Sequence, residues 1–343
     1  MEYFRPIAMT DAARPEGAFT LAGGWCWFTQ VEVLSRNTAP RLIAAADCPP
    51  DVLGRLTAPR PDFAGLVLDR PRLMGILNVT PDSFSDGGRY LSPKSALMQG
   101  RQIAKSAEIV DIGGESTRPG AREVPVAEEI ARTVPVIEAL RAGGMRGPIS
   151  IDTRKALVAA AALRAGATLV NDVSGLGFDD ALGPLVAKEK APLILMHAQG
   201  TPATMQDSPS YADVLLDVYD DLAAWLDGAV EKGIKADQIV LDPGIGFGKT
   251  AAHNLALIRG ISLFHGLGCP ILLGASRKRF IGSVGGGLGG TDTPEGRLPG
   301  SLAVAVAGFA QGVQITRVHD AAETRQALRL WQALNTSHLE GLA

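Results

Sequence analysis

The sequence predicts an α/β chain: a (β/α)8, or TIM, barrel over residues 71–343 behind an N-terminal extension, residues 1–70. Three observations lead there. Apolar, β-branched runs recur at 73–79, 108–112, 149–151, 168–173, 192–196, 239–241, 270–273 and 313–318. Stretches of helical period separate most of them, at 95–107, 125–142, 154–165, 212–232 and 320–334. Strands that alternate with helices pair in parallel, and runs apolar on both faces suit a sheet covered on both sides. About eight such units over some 270 residues match the barrel in size and repeat number. A doubly wound open sheet is the runner-up, but its G-x-G-x-x-G fingerprint is missing after the first run. The third observation is where polar residues fall. Nearly every run ends in one: Asn78, Glu115, Asp152, Asn171 with Asp172, His197, Asp242, Ser276, and Arg317 with His319. Buried charge is costly unless paired. Strand ends that converge on one barrel face make a pocket, and that face is where barrel enzymes work.

Taken in order, residues 1–70 are rich in Pro and Arg and hold a short strand-like piece from Trp25 to Val33. Disordered segments are poor in aromatic residues, so the two tryptophans predict an appendage packed on the barrel rather than a loose tail. The first barrel strand, Leu73 to Leu77, delivers the loop Asn78-Val79-Thr80-Pro81-Asp82-Ser83-Phe84-Ser85-Asp86-Gly87-Gly88. A connector needs only about two to six residues. A longer polar loop after a buried parallel strand is where α/β enzymes place mobile catalytic segments. The later strands bring, in turn, Asp111-Ile112-Gly113-Gly114-Glu115-Ser116-Thr117-Arg118-Pro119-Gly120, Ser150-Ile151-Asp152-Thr153 and Asn171-Asp172-Val173-Ser174-Gly175. They continue with Met196-His197, Asp242-Pro243-Gly244-Ile245-Gly246-Phe247-Gly248-Lys249, Ser276-Arg277-Lys278 and Arg317-Val318-His319-Asp320.

Composition narrows the function. A net charge of −3 leaves no electrostatic footprint for nucleic acid or an anionic membrane. Three scattered cysteines, Cys26, Cys48 and Cys269, fit neither a disulfide framework nor a zinc spacing and predict buried thiols in a reducing compartment. No stretch approaches the ~20 apolar residues of a membrane span, and the first residues lack a secretory pattern. The expectation is a cytoplasmic protein.

Eight motifs arriving in order at eight strand ends resemble the dihydropteroate synthase family over roughly residues 72–337. The resemblance implies condensation of 6-hydroxymethyl-7,8-dihydropterin pyrophosphate with p-aminobenzoate, in folate biosynthesis, by a sulfonamide-target transferase that acts as a homodimer. It implies catalytic roles for Asp152, Lys278, Asp86 and Arg118. The pterin would be held by Asp152, Asn171, Val173, Met196, Asp242, Phe247, Gly274 and Lys278. The pyrophosphate would fall to Asn78, Thr117, Arg118, Arg317 and His319, and the aminobenzoate to Phe84, Pro119, Ser276 and Lys278. The implied cofactor is Mg2+, with the Asn78 amide oxygen as protein ligand and Asp86 assisting through water. Mg2+ keeps several waters and takes few protein oxygens when phosphates are present, so a missing acidic cage is no objection. One departure bears on the aminobenzoate carboxylate: Arg279 stands where many relatives carry a small Ser.

The chemistry of the residues agrees. A pterin presents ring N–H and exocyclic NH2 donors side by side, and a carboxylate such as Asp242 offers two acceptors at matching separation. Asp242 before Pro243, or Asp152 before a helix near Thr153, could instead be a structural cap. Arg317 and His319, two apart on the last strand, fall on one face, at the phosphate position of a barrel. Gly244-Ile245-Gly246-Phe247-Gly248-Lys249-Thr250 mimics a nucleotide loop, but Pro243 stands where a Walker A glycine is required. Its glycines predict a tight turn under the pterin, with Phe247 as an apolar wall. His197 lacks a second histidine at ligand spacing, which argues against a metal site. His253, His265 and His338 read as surface or helix residues, and the segment Gly282–Gly290 as a flexible surface loop. The alternatives are a pterin-binding methyltransferase-type barrel and a non-catalytic pterin-binding paralogue. Arg118, Arg317 and His319 argue against the first, and the presence of Asn78, Asp152 and Lys278 against the second.

Overall fold

A computed structural model of the chain describes residues 1–79, 93–116, 121–200, 205, 208–286 and 292–335. The extension opens with β1 (Glu2–Pro6), followed by β2 (Phe19–Thr20), β3 (Trp27–Phe28), β4 (Gln30–Ser35), β5 (Arg41–Ala44) and helix α1 (Pro50–Thr57). Strands β1, β4 and β5 form an antiparallel sheet in the order β1-β4-β5, and β2 pairs with β3. Leu21, Phe28, Val31 and Leu56 give this unit a small core of its own. It docks on the barrel through Tyr3 Oη, which donates to Asp220 at 2.8 Å, and Trp25 Nε1, which donates to the Phe309 carbonyl at 2.7 Å.

The barrel alternates β6 (Arg72–Asn78), α2 (Pro93–Ile103), β7 (Ile109–Gly113), α3 (Val126–Ala142), β8 (Ile149–Asp152), α4 (Ala156–Ala165), β9 (Leu169–Asp172), α5 (Leu182–Glu189), β10 (Leu193–Met196), α6 (Val214–Glu231), β11 (Ile239–Asp242), α7 (Ala251–Arg259), β12 (Leu272–Leu273), α8 (Arg279–Gly285), α9 (Leu298–Phe309), β13 (Ile315–Val318) and α10 (Ala321–Leu334). The eight strands follow the order β11-β10-β9-β8-β7-β6-β13-β12, with every registered pair parallel. A parallel bridge from Leu241 to Ile271 closes the ring. Successive side chains alternate across the wall, as the strand period of two requires. Leu73, Leu77, Val110, Ile112, Ile151, Val170, Leu195 and Leu241 face the helix layer in the large outer core. Met74, Ile109, Leu169, Ile194, Val240, Leu272 and Ile315 fill the barrel's interior floor. Phe63 and Leu68 of the segment before β6 join that floor cluster, so the end of the extension plugs the amino-terminal mouth. Arg60 Nη2 donates to the His265 carbonyl at 2.9 Å, and the same packing covers His265 completely.

One sequence expectation holds in part and one needs correction: His265 is helical but not at the surface, and part of the Gly282–Gly290 stretch is helix. His265 is a buried residue of a 3-10 segment, Ile261–Leu267, with Nε2 3.0 Å from the Gln311 carbonyl, because the extension lies over it. The stretch Gly282–Gly285 is the end of α8 rather than loop. Gly282 packs so closely that a Cβ there would sit 1.8 Å from Asp292 Oδ1. Residues 287–290 of that expectation, and His338, lie outside the described residues. The three cysteines are free thiols and buried, as expected. Among the described residues, no helix is long and apolar enough to cross a membrane.

Candidate active site

Alternation along each strand decides which polar residues enter the barrel. Counting by twos from the floor cluster, the next inward positions are Ile76, Asp111, Asn171, Met196, Asp242, Gly274 and Arg317. One level is contiguous across four strands. Asn78 registers with Gly113, Gly113 with Asp152, and Asp152 with Asn171. Met196 registers with Asp242 on the far wall. The carboxyl-terminal mouth therefore gathers residues that the sequence spreads over more than two hundred positions.

At the centre of this mouth lies an ion cluster. Arg317 Nε donates to Asp111 Oδ2 and Arg317 Nη2 to Asp152 Oδ2, each at 2.6 Å. Asn171 Nδ2 donates to the same Asp111 oxygen at 3.3 Å. Asp111 is fully buried, and among the described residues its Oδ1 has no hydrogen-bond partner. An unpartnered buried carboxylate oxygen is an acceptor awaiting a donor. Burial pushes the Asp152 carboxyl up to about 7, against the pull of Arg317 and with help from Asp111. Burial works against the charge on Arg317 as well, yet Asp111 and Asp152 hold its pKa above the ordinary value. Asp152 is not a helix cap: α4 begins at Ala156, four residues on. Asp111 opens the second strand-end motif, yet no role for it follows from the resemblance. The signal was available, since it lies two residues before Gly113 on the inward parity.

Asp242 forms the opposite wall. Its Oδ1 accepts from Gly244 N–H at 2.7 Å, which turns the chain sharply after the strand. Gly244 has φ +66°, and a Cβ there would meet the His197 carbonyl oxygen at 1.7 Å. No other residue fits that position. The cap reading and the site reading of Asp242 thus use different oxygens, because Oδ2 is left toward Gly274. The turn carries Phe247 to Lys278, whose Nζ lies 4.3 Å from the ring centroid and donates to the Ile245 carbonyl. Burial lowers the Lys278 pKa to about 7, opposed by Asp242, while burial raises that of Asp242, opposed by Lys278. Arg277 holds a left-handed φ of +60°, which a non-glycine residue adopts at a cost. Its guanidinium is clamped by Asp320, at 2.9 and 2.5 Å, and by Glu295 at 3.1 Å, which fixes the turn that carries Lys278.

The remaining expected residues divide three ways. Ser276 Oγ meets His319 N and Nδ1, each at 3.2 Å, beside Lys278, and Met196 and Val173 are buried at the same mouth. Arg317 and His319 therefore share a strand end but engage different partners. Glu115 and Asp172 serve the scaffold. Glu115 pairs with Arg154 at 2.9 Å and Lys155 at 2.5 Å, while Asp172, of outward parity, caps the following loop through Ser174 and Leu176. Phe84, Asp86, Thr117, Arg118 and Pro119 lie outside the described residues. Arg279 is exposed on the first turn of α8.

Comparison with known proteins follows the same outline. The family described as pterin binding enzyme matches residues 74–319. The dihydropteroate synthase of Synechocystis is 46% identical over 266 residues, 77% of this chain and 90% of the relative. That of Escherichia coli is 44% identical, covering 78% and 93%. Among solved structures, the Xanthomonas albilineans dihydropteroate synthase with 4-aminobenzoic acid superimposes with a TM-score of 0.74 at 44% identity, covering 82% of this chain and 99% of that one. The same organism's enzyme in complex with 7,8-dihydropteroate gives a TM-score of 0.71 at 41% identity, covering 82% and 100%. With a family match spanning the whole strand ring and relatives this similar, the chain belongs to the dihydropteroate synthase family of pterin-binding enzymes.

Proposed function

We propose that this chain condenses 6-hydroxymethyl-7,8-dihydropterin pyrophosphate with p-aminobenzoate to give 7,8-dihydropteroate and pyrophosphate, as a dihydropteroate synthase of folate biosynthesis. The observation that carries the reading is the single mouth shared by Asn78, Asp152, Asn171, Asp242, Lys278, Arg317 and His319. A flat heterocycle with adjacent N–H donors finds acceptors in Asp242 Oδ2, Asp152 and the unpartnered Asp111 Oδ1. Asn171 offers both an acceptor and a donor, and Lys278 donates to a ring oxygen or nitrogen. Phe247, Met196 and Val173 supply apolar walls.

In the reaction, the methylene C–O bond breaks and its electron pair leaves with the diphosphate. The aminobenzoate nitrogen then forms the new C–N bond and gives up one proton to water. Delocalisation into the pterin makes a strong protein nucleophile unnecessary. The residues' task is to stabilise charge as it develops. Asp152, whose pKa burial raises to about 7, becomes fully ionised opposite a pterin cation. His319 and Asn78 face the departing oxygens from strand ends next to each other in the ring, and Ser276 fixes the imidazole.

Mg2+ fits this donor set. The missing side chain of Gly113 leaves space flanked by Asn78 Oδ1 and Asp152 Oδ2, 3.7 and 3.6 Å from where a Cβ would lie. Among the described residues, no group of three His, Cys, Asp or Glu could hold a metal alone; Mg2+ takes few protein ligands where substrate phosphates are present. When bound, the ion would neutralise charge on the leaving diphosphate. Homodimer assembly belongs to the same reading, with the apolar stretch 302–309 of α9 and the C-terminal helix α10, where Leu330 and Leu334 are exposed, as surface. The test is pyrophosphate release from the two substrates with and without Mg2+. Absence of turnover under both conditions would refute the reading; turnover unchanged by a chelator would remove the metal from it.

A further inference from the structure

Beneath the Pro243–Gly248 turn runs a chain of polar groups that the reaction does not use. Lys249 is buried at 3% exposure. Its Nζ lies 2.9 Å from His197 Nδ1 and donates to the Phe247 carbonyl at 3.0 Å. His197 is buried too, its ring stacked on Trp225 with centroids 5.1 Å apart and planes 13° apart. Its Nε2 lies 3.0 Å from Asp221 Oδ2 on α6, a carboxylate that reaches solvent. Burial and the neighbouring Lys249 cation drive the imidazole pKa far down, so the ring is neutral.

Burial lowers the Lys249 pKa to about 7, opposed by Asp242. With Lys249 protonated, these contacts allow one arrangement of protons: an ammonium is donor-only, so Nδ1 accepts. A neutral ring then carries its proton on Nε2 and donates it to Asp221. The order Lys249 to His197 to Asp221 is thereby fixed, and each member holds the next. The far end of the chain is tied to the backbone of the pocket turn. Lys249 holds the Phe247 carbonyl, Tyr211 Oη donates to the Gly248 carbonyl at 2.9 Å, and His197 N donates to the Asp242 carbonyl at 2.9 Å. The same turn presents Phe247 to Lys278.

We infer that Lys249 is a positioning residue for the pterin, acting through the buried Lys249–His197–Asp221 chain to hold the Pro243–Gly248 turn in its binding shape. Its ammonium is turned to His197 Nδ1 and the Phe247 carbonyl behind the turn. A flat ligand gripped at several points tolerates little displacement of its floor, and weakening one of its hydrogen bonds by about 1.4 kcal/mol costs about tenfold in affinity. The inference rests on the synthase reading. It deepens that reading by placing a control of pterin affinity outside the pocket, with its outer end on the surface of α6.

The test compares Lys249→Met, Asp221→Ala and the double variant with the unaltered enzyme by steady-state kinetics and thermal melting. Lys249→Met should raise KM for the pterin substrate about tenfold or more, with KM for p-aminobenzoate and kcat within about twofold. Asp221→Ala, at a half-exposed site on another element, should raise the same KM alone. The double variant should fall short of the product of the two singles, because both cut one chain. Lys249→Arg should restore part of the affinity. Multiplicative effects, or equal changes in both KM values and kcat that track Tm, overturn the inference. Should Lys249→Met fail to fold, an unaltered pterin KM in Asp221→Ala overturns it by itself. Turnover by the unaltered enzyme is measured in the same assay, so an inactive parent would count against the synthase reading and not against this one.

Discussion

Replacing Asp242 by Asn should cost pterin affinity while sparing the fold. Oδ1 is committed to Gly244 N–H at 2.7 Å, and that bond makes the turn. An asparagine keeps it only by placing its amide oxygen there, which aims the NH2 group at the ligand. One charge-assisted hydrogen bond is lost, about 1.5–3 kcal/mol, and a ligand N–H is left facing another donor, about 1–3 kcal/mol more. A combined loss of about 2.5–6 kcal/mol is roughly sixtyfold to twenty-thousandfold in Kd. Stability should move the other way. Burial raises the Asp242 pKa, so the folded protein holds that proton more tightly than the unfolded chain. Wild-type stability contributed by this group therefore falls as pH climbs from the ordinary carboxylate value through the raised one. The variant has no such loss, and its Tm relative to wild type should increase with pH over that window. Titration calorimetry with a pterin lacking the diphosphate measures the first effect, and melting curves from the ordinary carboxylate pKa upward the second. Affinity within threefold of wild type would show that Oδ2 meets no pterin donor. A Tm far below wild type at every pH would show that the carboxylate serves the turn alone.

Other outcomes follow from the same geometry. kcat/KM should rise as pH climbs toward about 7, where Asp152 ionises, and Asp152→Asn should abolish that acid limb along with most of the rate. An unchanged limb in the variant would assign it to another group. Gly244→Ala, with φ +66° and a Cβ 1.7 Å from the His197 carbonyl, should lose at least about 1–2 kcal/mol of stability together with pterin binding; a wild-type Tm would contradict the clash. Phe63→Ala should lower stability by about 3–5 kcal/mol in denaturant melts, because Phe63 plugs the barrel floor at 1% exposure. Its KM values should stay near wild type, since the plug lies at the mouth opposite the site.

Much of this was legible in the chain. Eight apolar runs separated by helical stretches specify a parallel barrel, and all eight appear as strands. Polar residues of inward parity at the ends of such runs converge on the carboxyl-terminal mouth. Asn78, Asp152, Asn171 and Asp242 were found that way. Less legible was the difference between a strand-end residue that faces inward and one that does not. Asp172 follows Asn171 directly, yet its parity turns it outward to cap a loop. Glu115 leaves the mouth for Lys155 and Arg154.

The sequence by itself determined the barrel, its order of strands and the acidic wall, because hydrophobic periodicity and strand-end chemistry are local properties. Only the tertiary structure decided which charges meet. Arg317 finds Asp111, 206 positions away, and Lys249 finds the histidine that follows β10. The extension's Phe63 becomes the floor of a barrel it precedes. Pairings of that kind depend on closure of the ring, which brings together residues with no periodic relation along the chain.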